Sequence, residues 1–146
     1  MKRKISLSMC CIAAFSVLIT ALMISLVLYN RNYKNMTNYI QNEAEYMAAA
    51  MNYNGVEYLD SVKDVSPSRI TWIANDGNVI FDNSGKKMEN HSDRSEFKEA
   101  IKSGIGESSR LSETLGKKTY YYAILMNDGT VSVSYTHLTL PTNSRV

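Results

Sequence analysis

Lys2, Arg3 and Lys4 are followed by a stretch without a single charge, from Ile5 to Asn30. At the helical rise of about 1.5 Å per residue, the apolar part from Ile5 to Leu28 is ~36 Å long, enough to cross a hydrocarbon layer of about 30 Å with some tilt. A buried helix of a soluble protein does not fit, because a run that is apolar all round leaves no face for water. A cleavable signal peptide shares the basic start, but its apolar region ends after about 7 to 15 residues at a small-residue A-x-A site. Here the run is longer and leaves through Leu28-Tyr29-Asn30-Arg31. The reading is an uncleaved signal anchor. The three basic residues and the amino terminus outweigh Arg31 and Lys34, so the positive-inside bias puts the N-terminus in the cytoplasm and everything after Asn30 outside.

Cys10 and Cys11 lie inside this run. A lipidated cysteine follows a small residue at the end of an apolar region, whereas Met9 precedes Cys10 and the apolar stretch continues past both thiols. Two embedded thiols without chemistry are the expectation. The whole chain of 146 residues allows one modest domain beyond the anchor.

From Arg31 to Asn54 there is neither proline nor glycine. Met36, Ile40, Ala44, Met47 and Met51 fall near helical spacing, which predicts that the membrane helix runs on outside, with a second copy of the same helix as the partner of this stripe. Gly55 interrupts, and VEYLDSVKD predicts a short second helix before Ser66-Pro67. After Pro67 the period changes to two. RITWIA alternates Ile70, Trp72 and Ala74 with Thr71 and Ile73, and NVIFD follows Asn75-Asp76-Gly77, a hairpin signal. SDRSEFKEAIKSG predicts a helix with Phe97, Ala100 and Ile101 on one side, an Asp93…Glu96 capping box and a stop at Gly104. ESSRLSET, a turn at Leu115-Gly116-Lys117-Lys118, TYYYAILM, a turn at Asn127-Asp128-Gly129 and TVSVS complete the pattern. Along TYYYAILM, Tyr120, Tyr122, Ile124 and Met126 share one face and Tyr121, Ala123 and Leu125 the other. The fold class is α+β, with flanking helices on one antiparallel sheet of about five strands.

Val133 to Thr142 reads VSYTHLTLPT and resembles the conceptual translation of a transposon-based sequencing adapter over ten consecutive residues. Residues 133–146 are therefore expected to be a non-native tail and are excluded from fold reasoning. The domain organisation is 1–30, a cytoplasmic stub and signal anchor; 31–54, a juxtamembrane helix; 55–132, an extracytoplasmic α+β domain; and the tail. The formal charge of +2 then reduces to an orientation signal over a slightly acidic exterior domain.

No Walker loop, G-x-G-x-x-G, H-E-x-x-H, C-x-x-C or G-x-S-x-G occurs. No catalytic, cofactor-binding or metal-binding residue is assigned. Gly104-Ile105-Gly106 follows a helix and reads as a cap and turn. His91 is the one histidine outside the tail, flanked by Glu89 and Asp93. Without a second histidine or cysteine it reads as a hydrogen-bonded loop residue instead of a metal ligand. Basic residues are interspersed with acidic ones, which argues against nucleic acid as a partner.

Four strings point further: ITWI-x-x-DG-x-V-x-x-D at Ile70 to Asp82, MENHSDR at Met88 to Arg94, the G-x-G-x-S-x-R-x-S-x-T series at Gly104 to Thr114, and YYYA at Tyr120 to Ala123. Together they resemble the extracytoplasmic sensor region of membrane-bound histidine kinases of the phosphate-regulon type, in which a first transmembrane helix leads into a PAS-like or single-Cache-like domain. The resemblance covers the chain from its N-terminus to Ser132. It implies a signal-sensing, membrane-anchored input region of a two-component system, homodimeric through its transmembrane and juxtamembrane helices. A cytoplasmic response regulator is the implied partner of the full-length parent, and ATP and Mg would bind only a kinase domain absent from this fragment. The alternatives are the sensor of a chemoreceptor or cyclic-dinucleotide enzyme, and a membrane-anchored binding domain without output. If sheet and helices enclose a pocket, Trp72, Phe81, Tyr120 and Tyr122 are its candidate linings, with plain core packing as the competing reading.

Overall fold

The computed structural model describes residues 2–66, 68–85, 88–111 and 118–137. The chain divides into two units, Met1–Asn35 and Met36–Val146. Helix α1, Lys2–Val62, supplies all described residues of the first unit and opens the second. Its stretch Leu7–Gly55 contains an apolar window of mean hydropathy 2.6, none of it buried, and is long and apolar enough to cross a membrane. Two polar side chains of that stretch bond to the helix's own carbonyls. The Ser16 hydroxyl donates to the Ala13 carbonyl at 3.0 Å, and the Thr20 hydroxyl to the Ser16 carbonyl at 3.0 Å. Such internal pairing is what an environment without water demands.

In the second unit α1 breaks at Gly55, which sits at φ 60 and ψ −147. A side chain is strained at that positive φ, so the glycine marks the break between two helical pieces as the sequence predicts. Among the described residues five strands follow: β1 Arg69–Ile73, β2 Val79–Asp82, β3 Ile105–Leu111, β4 Lys118–Leu125 and β5 Val131–His137. Helix α2, Ser95–Ser103, lies between β2 and β3. The sheet is antiparallel in the order β2-β1-β5-β4-β3, so the last strand occupies the centre. Its register runs from Arg69↔Tyr135 to Ile73↔Val131 on one side and from Thr119↔His137 to Leu125↔Val131 on the other.

The predicted alternation separates two faces. On one, Ile70, Met126 and the half-buried Trp72, Phe81 and Ile124 pack against Met47, Ala48, Met51 and Leu59 of α1, while Tyr120 and Tyr122 pack against Ile40 and Ala44. On the other, Ile73, Tyr121, Ala123, Val131, Val133 and Tyr135 pack against Phe97 and Ala100 of α2. Polar contacts pin α1 in register. Gln41 donates to the Tyr120 hydroxyl at 3.0 Å and to Glu107 at 3.2 Å, and the Ser66 hydroxyl donates to Glu43 at 2.9 Å.

Several expectations are corrected. The apolar stripe of α1 is buried on its own sheet and not on a second copy: Ile40, Ala44, Met47 and Met51 are all buried within the unit. The Asp93…Glu96 capping box does not form. Arg94 is the N-cap with no side-chain cap bond, Asp93 pairs with Lys98 at 3.1 Å, and Glu96 turns inward, where a cation competes for it. Ile101 is exposed, leaving Phe97 and Ala100 as the buried side of α2. The predicted stop at Gly104 does form, with the glycine in the left-handed region at φ 88.

Strand β5 continues past Ser132 to His137, so five residues of the segment set aside as adapter-like pair with β1 and β4. Val133 and Tyr135 are buried in the core. Alternating branched and aromatic side chains meet the needs of a central strand whatever their coding origin. Residues 138–146, 112–114 of the predicted ESSRLSET strand, and 115–117 of the predicted turn lie outside the described residues. Ser132 and Ser134 alternate with Val131 and Val133 and so face α1; their hydroxyls are buried without a partner among the described residues.

Candidate ligand cavity

The four aromatic residues proposed as pocket linings all lie on the α1 face. Tyr120 and Tyr122 pack on Ile40 and Ala44, and Trp72 and Phe81 border the Met47–Leu59 cluster. The Trp72 indole donates to the Thr130 hydroxyl at 2.6 Å. Burial, followed by the Glu107 carboxylate that accepts the Tyr120 hydroxyl at 2.9 Å, pushes that phenol up. These contacts belong to the joint between helix and sheet, and none of the four residues lines the cavity described next.

On the opposite face is a cavity of about 100 Å³ whose wall is polar. Period two in β1 places Arg69 and Thr71 there, on the side of Ile73. Strand β3 contributes Arg110, β4 Tyr121, β5 Val133 and Tyr135, and α2 Glu96; the loop between β2 and α2 contributes Met88, His91 and Arg94. Sequence distance hid this grouping, since residues from 69 to 135 meet at one point.

Two of the three arginines are neutralised. Arg69 Nε donates to both carboxylate oxygens of Asp82, at 3.0 and 3.1 Å, and its Nη2 lies 2.9 Å from Asp82 Oδ1. The guanidinium also stands 5.2 Å from the Tyr135 ring centroid. Burial pushes the Asp82 carboxyl up, but hydrogen bonds from Ser84, Thr71 and Arg69 outweigh it and hold it below the usual carboxylate range. Arg110 grips Glu96 with both terminal nitrogens, Nη2 to Oε1 at 2.6 Å, while the Ser108 hydroxyl donates to Oε2 at 2.8 Å. The Arg110 guanidinium stacks 3.9 Å above the Tyr121 ring, a cation–π contact that supports it from below. Glu96 is 3% exposed. Burial raises it, yet the Arg110 bonds, its own backbone N–H and Ser108 bring its pKa below the ordinary value.

The loop is anchored on the β1–β2 turn. The His91 N–H donates to the Gly77 carbonyl at 2.7 Å, and Asn90 Nδ2 donates to the Asp76 carbonyl and to Asn78 Oδ1. A Cβ on Gly77 would lie 2.5 Å from the Ser92 nitrogen, so the turn accepts the loop only as glycine. His91 is thus a hydrogen-bonded loop residue, as read from the sequence, but it also faces the cavity. Among the described residues no group of three metal-ligating side chains occurs.

The alternation read from the sequence groups Thr71 with Ile73 and Tyr121 with Ala123 and Leu125, but it does not bring Arg69, Glu96 and Arg110 together. The S-x-R spacing of Ser108 and Arg110 was the available signal, since it puts hydroxyl and guanidinium on one side of β3.

Comparison with curated proteins finds no match for this chain. The Single Cache-like family profile matches residues 30–141, from the part of α1 that follows the apolar run to beyond β5. An antiparallel sheet with a long N-terminal helix on one face, and a helix and a polar cavity on the other, accords with that match. With most of its length covered and its α+β architecture in agreement, the chain belongs to the Single Cache-like family of sensor domains.

Proposed function

We propose that this chain is the signal-sensing, membrane-anchored input region of a two-component sensor histidine kinase of the phosphate-regulon type. In this reading the N-terminus is cytoplasmic, the sensor domain is extracytoplasmic, and the signal enters at the cavity on the α2 face. The observation that carries the reading is the division of labour between the faces of one sheet: a polar cavity on one, and the helix continuous with the apolar segment on the other. Polar contacts run from one to the other. Glu99 of α2 accepts the Glu107 N–H at 3.0 Å, and the Glu107 side chain accepts Tyr120 and Gln41, so a shift of α2 on β3 reaches α1. A ligand drives such a shift only by the difference of its affinity for two states. ATP, Mg and a response regulator serve the parent's kinase domain.

The test is the source gene beyond the codon for Ser132. A second apolar span, a phosphoacceptor-histidine helix and a glycine-rich ATP-binding domain are expected. A methyl-accepting coiled coil, a cyclase domain, or an early stop without a second span would sink the reading.

The homodimer belongs to the same proposal, on a different face of α1 from the one the apolar stripe suggested. Tyr39, Tyr46 and Tyr53, 53%, 77% and 90% exposed, recur at heptad spacing on the outer surface, with exposed Asn42 and Ala49 between them. Large amphipathic rings alternating with small residues suit contact between two copies of one helix. Tyr46→Cys in a background lacking Cys10 and Cys11 is expected to give a disulfide-linked dimer under mild oxidation in membranes. A chain that stays monomeric on non-reducing gels would remove this interface.

A further inference from the structure

We propose that the cavity on the α2 face is a proton-coupled site for a small, singly charged anion, in which Arg94 supplies the resting positive charge and His91 takes up a proton as the anion enters. The inference rests on the reading of this cavity as the sensing site and adds the chemistry of what it takes. Three guanidiniums face or border it, and two are matched by carboxylates, Arg69 by Asp82 and Arg110 by Glu96. Arg94 lines the same wall, half-buried, and forms no ion pair among the described residues. With a neutral imidazole one positive charge is left over, which a single negative charge balances. The volume of about 100 Å³ limits the guest to a handful of heavy atoms, since a cavity of about 150 Å³ is filled by benzene.

The two residues are presented by a rigid backbone. His91 is tied to Gly77 through its N–H, and the Arg94 N–H donates to the His91 carbonyl at 3.0 Å. The groups around the imidazole come from every neighbouring element: Arg94 from the loop, Glu96 from α2, Arg110 from β3, Asp82 from β2, Arg69 from β1, and the Tyr121 and Tyr135 phenols from β4 and β5. In the anion-free site burial, then Arg94 and Arg110, push His91 below its ordinary value, and Glu96 and Asp82 oppose this only in part. Tyr135, raised by burial, stays a neutral phenol. An anion beside Arg94 offsets the repulsion that keeps the proton away, so the imidazole of the occupied site binds a proton more tightly than that of the free site. By linkage, anion affinity increases as pH falls through the occupied-site value toward the free-site value, with at most about a tenfold gain per pH unit. The sign is that of a group whose pKa is higher in the bound state.

The experiment uses the full chain in uncharged maltoside micelles, titrated calorimetrically with sodium methanesulfonate, whose charge is constant over the range. Runs at about pH 6 and about pH 8, in buffers of different ionisation enthalpy, read affinity and proton uptake together. The expected result is a several-fold tighter Kd at the lower pH with net proton uptake. His91→Gln should keep the affinity seen at the higher pH while losing both the pH dependence and the uptake. Arg94→Gln should lose binding at both pH values, with an unchanged Tm as evidence that it is folded. Wild-type binding without pH dependence or uptake, or a pH dependence that survives His91→Gln, overturns the proton coupling but leaves the cavity as a sensing site. Absence of binding in the wild type, or unchanged binding in Arg94→Gln, overturns the anion site itself.

Discussion

Arg110→Ala is expected to destabilise the sensor domain by on the order of 3–5 kcal/mol at neutral pH and to invert its response to acid. The cost comes from the partner left behind. Glu96 is almost fully buried at the base of α2, and without the guanidinium it keeps only neutral donors: its own backbone N–H, the Ser108 hydroxyl and the marginal Ser95 contact. A buried carboxylate that loses its cation and keeps only neutral donors is left with much of its desolvation cost uncompensated. The acid response follows from the direction of its pKa. In the wild type Glu96 lies below its ordinary value of 4.5, so its contribution is present above that value and is lost as pH falls through the folded-state pKa. In the variant burial dominates and raises the group, so the folded form takes up a proton before the unfolded one and the variant gains stability relative to its own neutral-pH value on mild acidification. Urea unfolding at neutral and mildly acidic pH distinguishes the two slopes. Adding Glu96→Gln to Arg110→Ala should recover part of the loss. If Arg110→Ala unfolds with the wild-type midpoint at neutral pH, the pair is not a determinant of this face.

Gly106→Val is expected to cost more still, enough that the folded domain does not accumulate at 37 °C, with Gly106→Ala losing about 3 kcal/mol or more. Gly106 of β3 is paired with Ala123 of β4, and a Cβ on Gly106 would run into the Glu96 carbonyl and the Ala100 nitrogen. Both obstacles are backbone, so no rotamer change relieves the overlap and α2 must lift from the sheet. Phe97 and Ala100, 5% and 0% exposed, would lift with it, opening the core on that face. The same movement would separate Glu96 from Arg110, so loss of anion binding should accompany loss of stability. Chemical denaturation, with Tyr121 and Tyr135 as near-ultraviolet reporters, provides the measurement. A Gly106→Ala domain as stable as wild type would show that α2 does not rest on β3 as described.

Much of the architecture is legible along the chain because it depends on local periodicity. The apolar run, the break at Gly55, the hairpin around Asp76-Gly77 and the two faces of TYYYAILM each follow from spacing within one segment, and the structure agrees with all four. Contacts between segments are a different matter. The stripe of α1 advertises an apolar partner without saying whether that partner is a sheet or another helix. Glu96, three residues after Asp93, reads locally as half of a capping box, yet an arginine fourteen positions later binds it more strongly than a helix terminus does. The aromatic residues that attract attention as pocket linings are the ones large enough to fill the joint between sheet and helix, which leaves the cavity to smaller and charged groups.

By itself, then, the sequence determined an apolar N-terminal helix long enough to cross a membrane, an α+β domain after it, and which side chains of β1 and of β4 share a face, because these depend on residue-to-residue period and on the length of an uncharged run. The tertiary structure alone decided that the last strand sits between β1 and β4, that α1 covers one face of the sheet, and that Arg69, His91, Arg94, Glu96 and Arg110 surround one cavity. Those outcomes depend on which strand edges pair and which charges are buried together, and both are set by the free energy of the assembled domain, not by any one segment.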